Sequence, residues 1–173
     1  MDAPQFPAGP FVPEGPLAPA RRAELIAEIV AAPTAFRAAT TGLMPDQLDT
    51  RYRNWTVRQI VHHVADSHVN CYVRFKLALT EDVPTIKPYD ESRWAALPDS
   101  RGDAAVPLAL LDAVHARWAQ LLDTMTDADF ARAYFHPEMG TRMRLVEALA
   151  LYAWHGKHHA AQVRWVRETR GWK

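Results

Sequence analysis

The chain has little that would tie it to an oxidising compartment, a nucleic acid or a membrane. Its single cysteine, Cys71, cannot form an internal disulfide. Lys and Arg number 20, as do Asp and Glu, so no net charge draws the chain to nucleic acid or to an anionic membrane. No apolar run reaches the roughly 18 residues of a membrane span, and no secretion signal is evident. We therefore expect a soluble, cytoplasmic protein.

The composition predicts one globular domain preceded by an extended arm. Hydrophobic residues make up 49% of the chain and charged residues 23%, which is typical of a soluble domain. Within residues 1–19, a proline recurs at every third position from Pro4 onward. Because proline fixes φ and lacks an amide donor, this segment should be extended. We expect it to lie on the domain, residues 20–173, through Phe6, Phe11 and Val12. The alternative is a docking peptide for a proline-reading domain.

Helical periodicity then appears in two successive segments. Apolar residues recur every three or four positions from residue 20 to about 42, and Pro33 should kink or split this first helix. The second helix should begin at Thr56, because Gln59 three residues later can complete a capping box.

Two further helices and one long connection complete the pattern. Asp103 can cap the third helix, and the fourth should run from about residue 145 to 170. The connection over residues 80–101 contains three prolines and leaves room for one short helical turn. Residues 130–144 could form a hairpin. The pattern predicts an all-α fold, namely a four-helix bundle with a long crossover between helices 2 and 3 and a proline-rich N-terminal arm.

Histidine is concentrated in two of the helical segments. The second helix carries three histidines and the fourth helix carries three more: His62, His63, His68, His155, His158 and His159. His155 and His159 are four residues apart, so their rings lie on one helix face, one turn apart, where they can share a metal ion. Such a pair arises by chance about 0.4 times in a chain with this histidine content, so the spacing alone is weak evidence.

Polar residues share the faces of these histidines. At about 100° per residue, Asn70 and Arg74 fall on the stripe of His63, and Gln162 falls on that of His155. Polar groups on an inward face are costly unless they are paired, which favours a pocket lining. The residues alone leave open that the histidines are merely hydrogen-bonded core or surface groups. For His115, on the apolar face of the third helix, this is the preferred interpretation.

Several segments resemble the YfiT-like branch of the DinB-like proteins. The longest is WTVRQIVHHVADSH, residues 55–68. The others are RFKLALTE at 74–81, PTIKPYDE at 84–91, HARW at 115–118 and YFHP at 134–137. The likeness extends over residues 13–172.

This resemblance implies a four-helix bundle that holds one divalent metal ion, zinc or nickel. One histidine from the second helix and two from the last would bind it. On the matching positions the ligands are His63, His155 and His159, and the choice of His63 over His62 depends on the resemblance. It also implies a homodimer and an enzyme that is either a metal-dependent hydrolase or a thiol S-transferase.

Two reactions suit a metal held by three imidazoles with an open position. In S-transfer, the metal lowers the pKa of a small thiol of the bacillithiol type, which then attacks an electrophile. In hydrolysis, a metal-bound water attacks an amide or ester. We expect S-transfer first, hydrolysis second, and a stress-related metal-binding module as the non-enzymatic alternative.

The two reactions differ in whether they need a general base near the metal. Gly156 stands where the metalloprotease pattern His-Glu-x-x-His places its glutamate, so a hydrolase would need another base. Asp66 and His62 are the nearest candidates for this catalytic role. Transfer from a metal thiolate has less need of a base. Substrate-binding groups are expected from the polar stripes, with Arg74 contacting a carboxylate or phosphate. They are Asn70, Arg74 and Gln162.

Overall fold

The structure is a computed structural model that describes residues 2–172. Its long helices are α1 (Pro19–Thr40), α3 (Val57–Thr80), α5 (Ala105–Thr124) and α7 (Leu145–Arg170). Both α1 and α3 pack against α5 and α7, so α1 and α3 lie diagonally across the bundle. The predicted four-helix bundle, with its long crossover between α3 and α5, is confirmed. No helix within residues 2–172 combines the length and apolar character needed to cross a bilayer.

Short elements connect the long helices. They are α2 (Pro45–Leu48), α4 (Glu91–Trp94), a 3₁₀ turn (Pro98–Arg101) and α6 (Asp127–Ala131). The antiparallel pairs are β1 (Arg51–Tyr52) with β2 (Trp55–Thr56), and β3 (Ala133–His136) with β4 (Thr141–Arg144). The second pair is the predicted hairpin. The crossover is fastened to it, since the Ile86 amide donates to the Phe135 carbonyl at 3.1 Å.

A capping box fixes where α3 begins. The Thr56 hydroxyl accepts from the Gln59 amide at 3.1 Å, and the Gln59 side chain accepts from the Thr56 amide at 3.0 Å. This reciprocal pair satisfies two backbone donors that the helix itself leaves unbonded. It therefore sets the helical phase in which His63 faces α7.

Helix α1 runs unbroken through Pro33, so the predicted split is wrong. Pro33 has no amide to donate to the Ile29 carbonyl four residues earlier. That carbonyl instead accepts a hydrogen bond from Nδ1 of His115 on α5, at 2.7 Å. A neighbouring helix thus supplies the missing donor.

The core consists of two apolar clusters along the bundle axis. One contains Ile29, Cys71, Phe75, Trp118 and Leu149, and the other contains Phe36, Val64, Leu111 and Val163. On three of the four long helices the residues between the clusters include a histidine: His68 on α3, His115 on α5 and His155 on α7. A layer of imidazoles therefore separates the two clusters.

The arm before α1 lies on α7. The ring of Phe11 is 5.7 Å from that of Trp154, whose indole donates to the Gly9 carbonyl at 2.9 Å. Phe6 lies 5.8 Å from the His158 ring. Val12 is 70% exposed, so its predicted contact with the domain is wrong. The expected contacts of Phe6 and Phe11 are present.

Candidate metal centre

Three imidazoles converge where α3 faces α7. His63, His155 and His159 each offer one ring nitrogen, and these nitrogens lie within 4.8 Å of one another. The ring centroids are 5.4 Å apart for His63 and His155, 5.0 Å for His63 and His159, and 4.4 Å for His155 and His159. Nitrogens that share a tetrahedral ion at about 2.0–2.1 Å lie roughly 3.4 Å apart, so a small side-chain movement would close the site. The donor set fits one divalent ion.

Gln162 orients His159. Nδ1 of His159 lies 2.7 Å from Oε1 of Gln162, and a carbonyl oxygen can only accept. The hydrogen of the neutral ring is therefore on Nδ1, which leaves the lone pair of Nε2 for a metal. The Gln162 amide nitrogen lies 3.0 Å from Nε2 of His158. Because the side-chain amide of Gln162 forms hydrogen bonds with two imidazoles, Gln162 is placed to orient the ring of His159.

A chain of hydrogen bonds orients His155. Its Nδ1 lies 3.1 Å from Nε2 of His68, and Nδ1 of His68 lies 2.7 Å from Nε2 of His115. His115 in turn donates to the Ile29 carbonyl, which cannot donate back. If each ring is neutral, every Nδ1 in the chain carries the hydrogen. The lone pair of His155 Nε2 then remains for a metal.

Burial keeps these rings neutral. It lowers the pKa of His63 to about 4 and that of His115 to about 4. For His155 and His159 burial lowers the pKa well below its ordinary value, and the neighbouring imidazoles lower it further. At neutral pH the ligand nitrogens thus need lose no proton before they bind a cation.

A cavity of 230 Å³ opens over His159. Trp55 and Gln162 line it from the bundle, and Ser92 of α4 lines it from the crossover. Trp55 also covers His63, with ring centroids 4.5 Å apart. The site is therefore buried on the helix side and accessible from the crossover side, as an open coordination position requires.

His62 lies beside the turn that precedes α5. Burial lowers its pKa, while the Gly102 carbonyl and the Asp99 carboxylate oppose that shift. Its Nε2 atom is buried and has no hydrogen-bond partner among residues 2–172. Although His62 adjoins His63 in sequence, the group of nitrogens that can share an ion does not include it.

Asp66 and Asn70 follow His63 along α3. Asp66 is half-buried, and burial raises the pKa of its carboxyl to about 6, with a contribution from the charge of Asp99. Asn70 donates its side-chain amide to the Asp66 carbonyl at 2.8 Å, within the helix. Asp66 therefore has the acidity of a base that works near neutral pH, while substrate binding by Asn70 stays a prediction.

Arg74 lies in a different cavity from the three metal ligands. It is buried in the wall of a 290 Å³ space that Tyr89, His136 and Tyr152 also line. Helical spacing predicts that Arg74 lies on the same face of α3 as His63. The structure shows that Tyr89 of the crossover and His136 of β3 line the cavity together with Arg74.

Gly156 lies where α7 packs tightly against α1. A Cβ atom at this position would lie 3.1 Å from Cβ of Ala32. The glutamate of the His-Glu-x-x-His pattern would therefore crowd α1 here. A base for hydrolysis must come from another position.

The sequence analysis missed Trp55, Tyr89 and Tyr152 as residues around the site. Trp55 immediately precedes the Thr56 cap and could have been placed beside His63 from that position. The positions of Tyr89 and Tyr152 depend on how the crossover packs, for which the sequence has no local marker.

A helical bundle with three convergent imidazoles beside an open cavity is the arrangement of a single-ion metalloprotein. The DinB superfamily model matches residues 28–163. The chain therefore belongs to the DinB superfamily.

Relatives of nearly the same length are closely similar. A protein of Bacillus licheniformis, provisionally named a metal-dependent hydrolase, is 47% identical over 99% of both chains. One of Bacillus mycoides with the same kind of name is 46% identical over 97% of this chain and 98% of its own. The solved structure of YfiT from Bacillus subtilis, described as a probable metal-dependent hydrolase, is 42% identical and covers 97% and 98% of the two chains, with a TM-score of 0.94. Its described topology is an unusual four-helix bundle.

Proposed function

We propose that this chain is a metal-dependent hydrolase whose single divalent ion is held by His63, His155 and His159. The observation that carries the proposal is the convergence of their three nitrogens within 4.8 Å. The open cavity over His159 and the names of the relatives support the same reaction class. When bound, a divalent ion supplies a Lewis acid that brings the pKa of a coordinated water or thiol toward neutrality.

We assign the proton-accepting role to Asp66 in preference to His62. Asp66 follows His63 by one helical turn, and a carboxyl with a pKa of about 6 is ionised and basic at neutral pH. The charge of Asp99 acts on both residues, and His62 in addition lies beside the Gly102 carbonyl. Position 156 of α7 carries glycine and supplies no base.

S-transfer from a small thiol is the second candidate, and Gly156 is the observation that favours it. Because position 156 carries glycine and not the glutamate of the His-Glu-x-x-His pattern, a reaction whose nucleophile needs little base assistance suits the site. The thiol would lose its proton to Asp66 or to solvent, and its sulfur would form the new bond as the leaving group departs. A thiol of the bacillithiol type would serve, and zinc or nickel would suit the imidazole ligands.

Metal analysis tests the shared part of both candidates. We expect close to one divalent ion per chain in the parent, and a loss of at least tenfold in affinity in His63→Ala and His159→Ala. His62→Ala is the matched control, since it removes the adjacent buried histidine and should keep the metal. Equal loss in His62→Ala and His63→Ala would refute the ligand assignment.

Paired assays separate the two reactions. The metal-loaded protein is incubated with a panel of activated esters and amides, and separately with bacillithiol and chlorodinitrobenzene. Turnover in the first arm that disappears on chelation supports hydrolysis, and turnover in the second arm supports S-transfer. If neither arm exceeds the metal-free protein, neither reaction is supported, and a metal-binding module becomes the better proposal.

A further inference from the structure

A second polar cavity lies further along the bundle, between α3, α4 and β3. Its volume is 290 Å³. Ser92 lines this cavity as well as the one over His159. Tyr152, on its wall, has its ring centroid 5.4 Å from that of the ligand His155. The two cavities therefore adjoin each other through these shared walls.

Arg74 brings a buried positive charge to this second cavity. The residue is 9% exposed, and within residues 2–172 it forms no ion pair. The Tyr134 phenol, which donates to Sδ of Met143 at 2.9 Å, lies near Arg74; burial raises its pKa and Arg74 opposes that shift. The acid that faces it is Glu91, whose pKa is raised by desolvation and only partly lowered by Arg74. Within residues 2–172 no carboxylate oxygen lies within 4.0 Å of the guanidinium, and a buried charge without such direct pairing costs free energy.

Two polar atoms in this cavity lack partners. The Tyr89 hydroxyl and Nδ1 of His136 are buried, and neither forms a hydrogen bond of standard geometry with residues 2–172. Burial raises the pKa of Tyr89 to about 12, so its hydroxyl keeps its hydrogen, and the Ser67 hydroxyl beside it opposes the shift. His136 can donate in the tautomer that carries the hydrogen on Nδ1. Buried unpaired polar atoms are rare in proteins, and two of them in the same cavity wall as a buried guanidinium indicate a missing acceptor.

We propose that Arg74, Tyr89 and His136 bind the anionic end of the substrate, a carboxylate or a phosphate. The proposal rests on the function proposed above, because it places the reacting end of the same molecule at the metal site. All three groups can donate hydrogen bonds to anionic oxygens, and a guanidinium can bind them in a bidentate manner.

The helix geometry gives the length of such a substrate. Arg74 follows His63 by three turns of α3, about 16 Å along the axis. Helical side chains lean toward the N-terminal end, and Arg74 lines the same cavity as Tyr152, which is one turn from His155. The anionic group would therefore lie on the order of 10 Å from the bond that reacts. An elongated molecule with one acidic end fits these limits.

Acidic side chains on the same cavity wall restrict the substrate further. They are Asp90, Glu91 and Glu138. These carboxylates oppose the attraction that Arg74 exerts on an anion, so they disfavour a ligand with more than one negative charge and attract an amine on the same molecule. The cavity therefore suits a ligand with one anionic group, and more so if it also carries an amine.

Anion binding can be measured on the metal-free protein. The Arg74 Nε–H signal in NMR spectra, assigned by its loss in Arg74→Gln, is followed during titration with inorganic phosphate and, separately, with acetate. We expect a saturable shift with one or both anions, and the stronger response identifies the head group. Arg164→Gln, which removes an exposed arginine of α7, should leave the titration unchanged. No saturable shift with either anion would overturn the proposal.

Thermal stability and metal content complete the test. Arg74→Gln removes an unpaired buried charge, so the ligand-free variant should melt about 2–4 °C higher, whereas loss of a structural arginine would lower the Tm. A lower Tm would overturn the proposal. Arg74→Gln should also keep the metal content of the parent. A parent that binds anions but no metal would refute the proposed function and leave the anion subsite standing.

Discussion

His115 donates its Nδ1 hydrogen to the carbonyl oxygen of Ile29 at 2.7 Å. Pro33 frees this carbonyl, because it has no amide to complete the helical bond. The carbonyl can only accept, so it sets the direction of every hydrogen bond from His115 through His68 to His155. Pro33 on α1 therefore helps to determine which ring nitrogen of His155 on α7 keeps a free lone pair.

Replacement of His115 should weaken metal binding although His115 touches no metal. In His115→Leu, His68 loses the acceptor of its Nδ1 hydrogen, so neither its tautomer nor that of His155, which bonds to it, is fixed any longer. We expect the metal Kd, measured by chelator competition, to rise about 10–100-fold, as is usual for groups that orient ligands. Leu122→Ala on the same helix is the control, because it should lower stability by about 2–5 kcal/mol and leave the Kd unchanged. An unchanged Kd in His115→Leu would show that the chain does not orient His155.

Two substitutions of Gln162 should act in opposite directions. Gln162→Leu removes the acceptor of the His159 Nδ1 hydrogen, so metal affinity should fall about 10–100-fold. Gln162→Glu supplies a carboxylate acceptor, which raises the basicity of the imidazole, and should retain or tighten binding. Isothermal titration with zinc compares both with the parent. Equal losses in the two variants would contradict this role.

Gly156 should tolerate no side chain without cost. In Gly156→Ala the new Cβ would lie 3.1 Å from Cβ of Ala32, and overpacking of this kind costs about 1–3 kcal/mol. Urea unfolding of the metal-free protein measures the loss. The double variant Ala32→Gly/Gly156→Ala removes the contact and should recover the stability lost to overpacking, because the helix propensities of the exchanged glycine and alanine, about 1 kcal/mol each, offset one another. No coupling between the two positions would refute the steric explanation.

Asp66 should make stability depend on pH. Burial raises the pKa of its carboxyl from 3.8 to about 6, so the folded protein holds this proton more tightly than the unfolded chain does. Below pH 3.8 the residue has no net effect. As the pH rises through 6, the ionised carboxylate destabilises the fold.

Unfolding of Asp66→Asn at several pH values tests this effect. The variant should gain stability relative to the parent as the pH rises from 4 to 7, because asparagine has no charge to bury. Asp82→Asn, at an exposed aspartate, should show no such gain. If the difference between Asp66→Asn and the parent were the same at both pH values, the raised pKa would be refuted.

Much of the fold could be predicted because its determinants are local. The apolar period of the four long helices, the Thr56–Gln59 cap and the turn residues of the β3–β4 hairpin all act within a few positions. The continuity of α1 could not be predicted, because the donor that compensates for Pro33 comes from α5. Periodicity also gives the buried face of a helix but not its neighbours, so the diagonal placement of α1 and α3 required the structure.

The residues of the candidate site also fall into those that local sequence patterns predict and those that only the packing of distant segments brings together. His155 and His159 follow from helical spacing, whereas the choice between His63 and His62 depends on which face of α3 meets α7. The cavity around Arg74 combines α3 with Tyr89 of the crossover and His136 of β3, whose approach no local pattern encodes. The homodimer, the choice between zinc and nickel, and the cytoplasmic location stay predictions.

The contacts of the N-terminal arm bear on how the protein should be produced. Phe6 lies 5.8 Å from the His158 ring, His158 is 3.0 Å from the Gln162 amide, and Gln162 is 2.7 Å from the ligand His159. A purification tag fused ahead of this arm would thus be linked to His159 through three successive side chains. A polyhistidine tag would in addition bring imidazoles that compete for a metal ion, so metal stoichiometry is best determined on protein from which the tag has been cleaved.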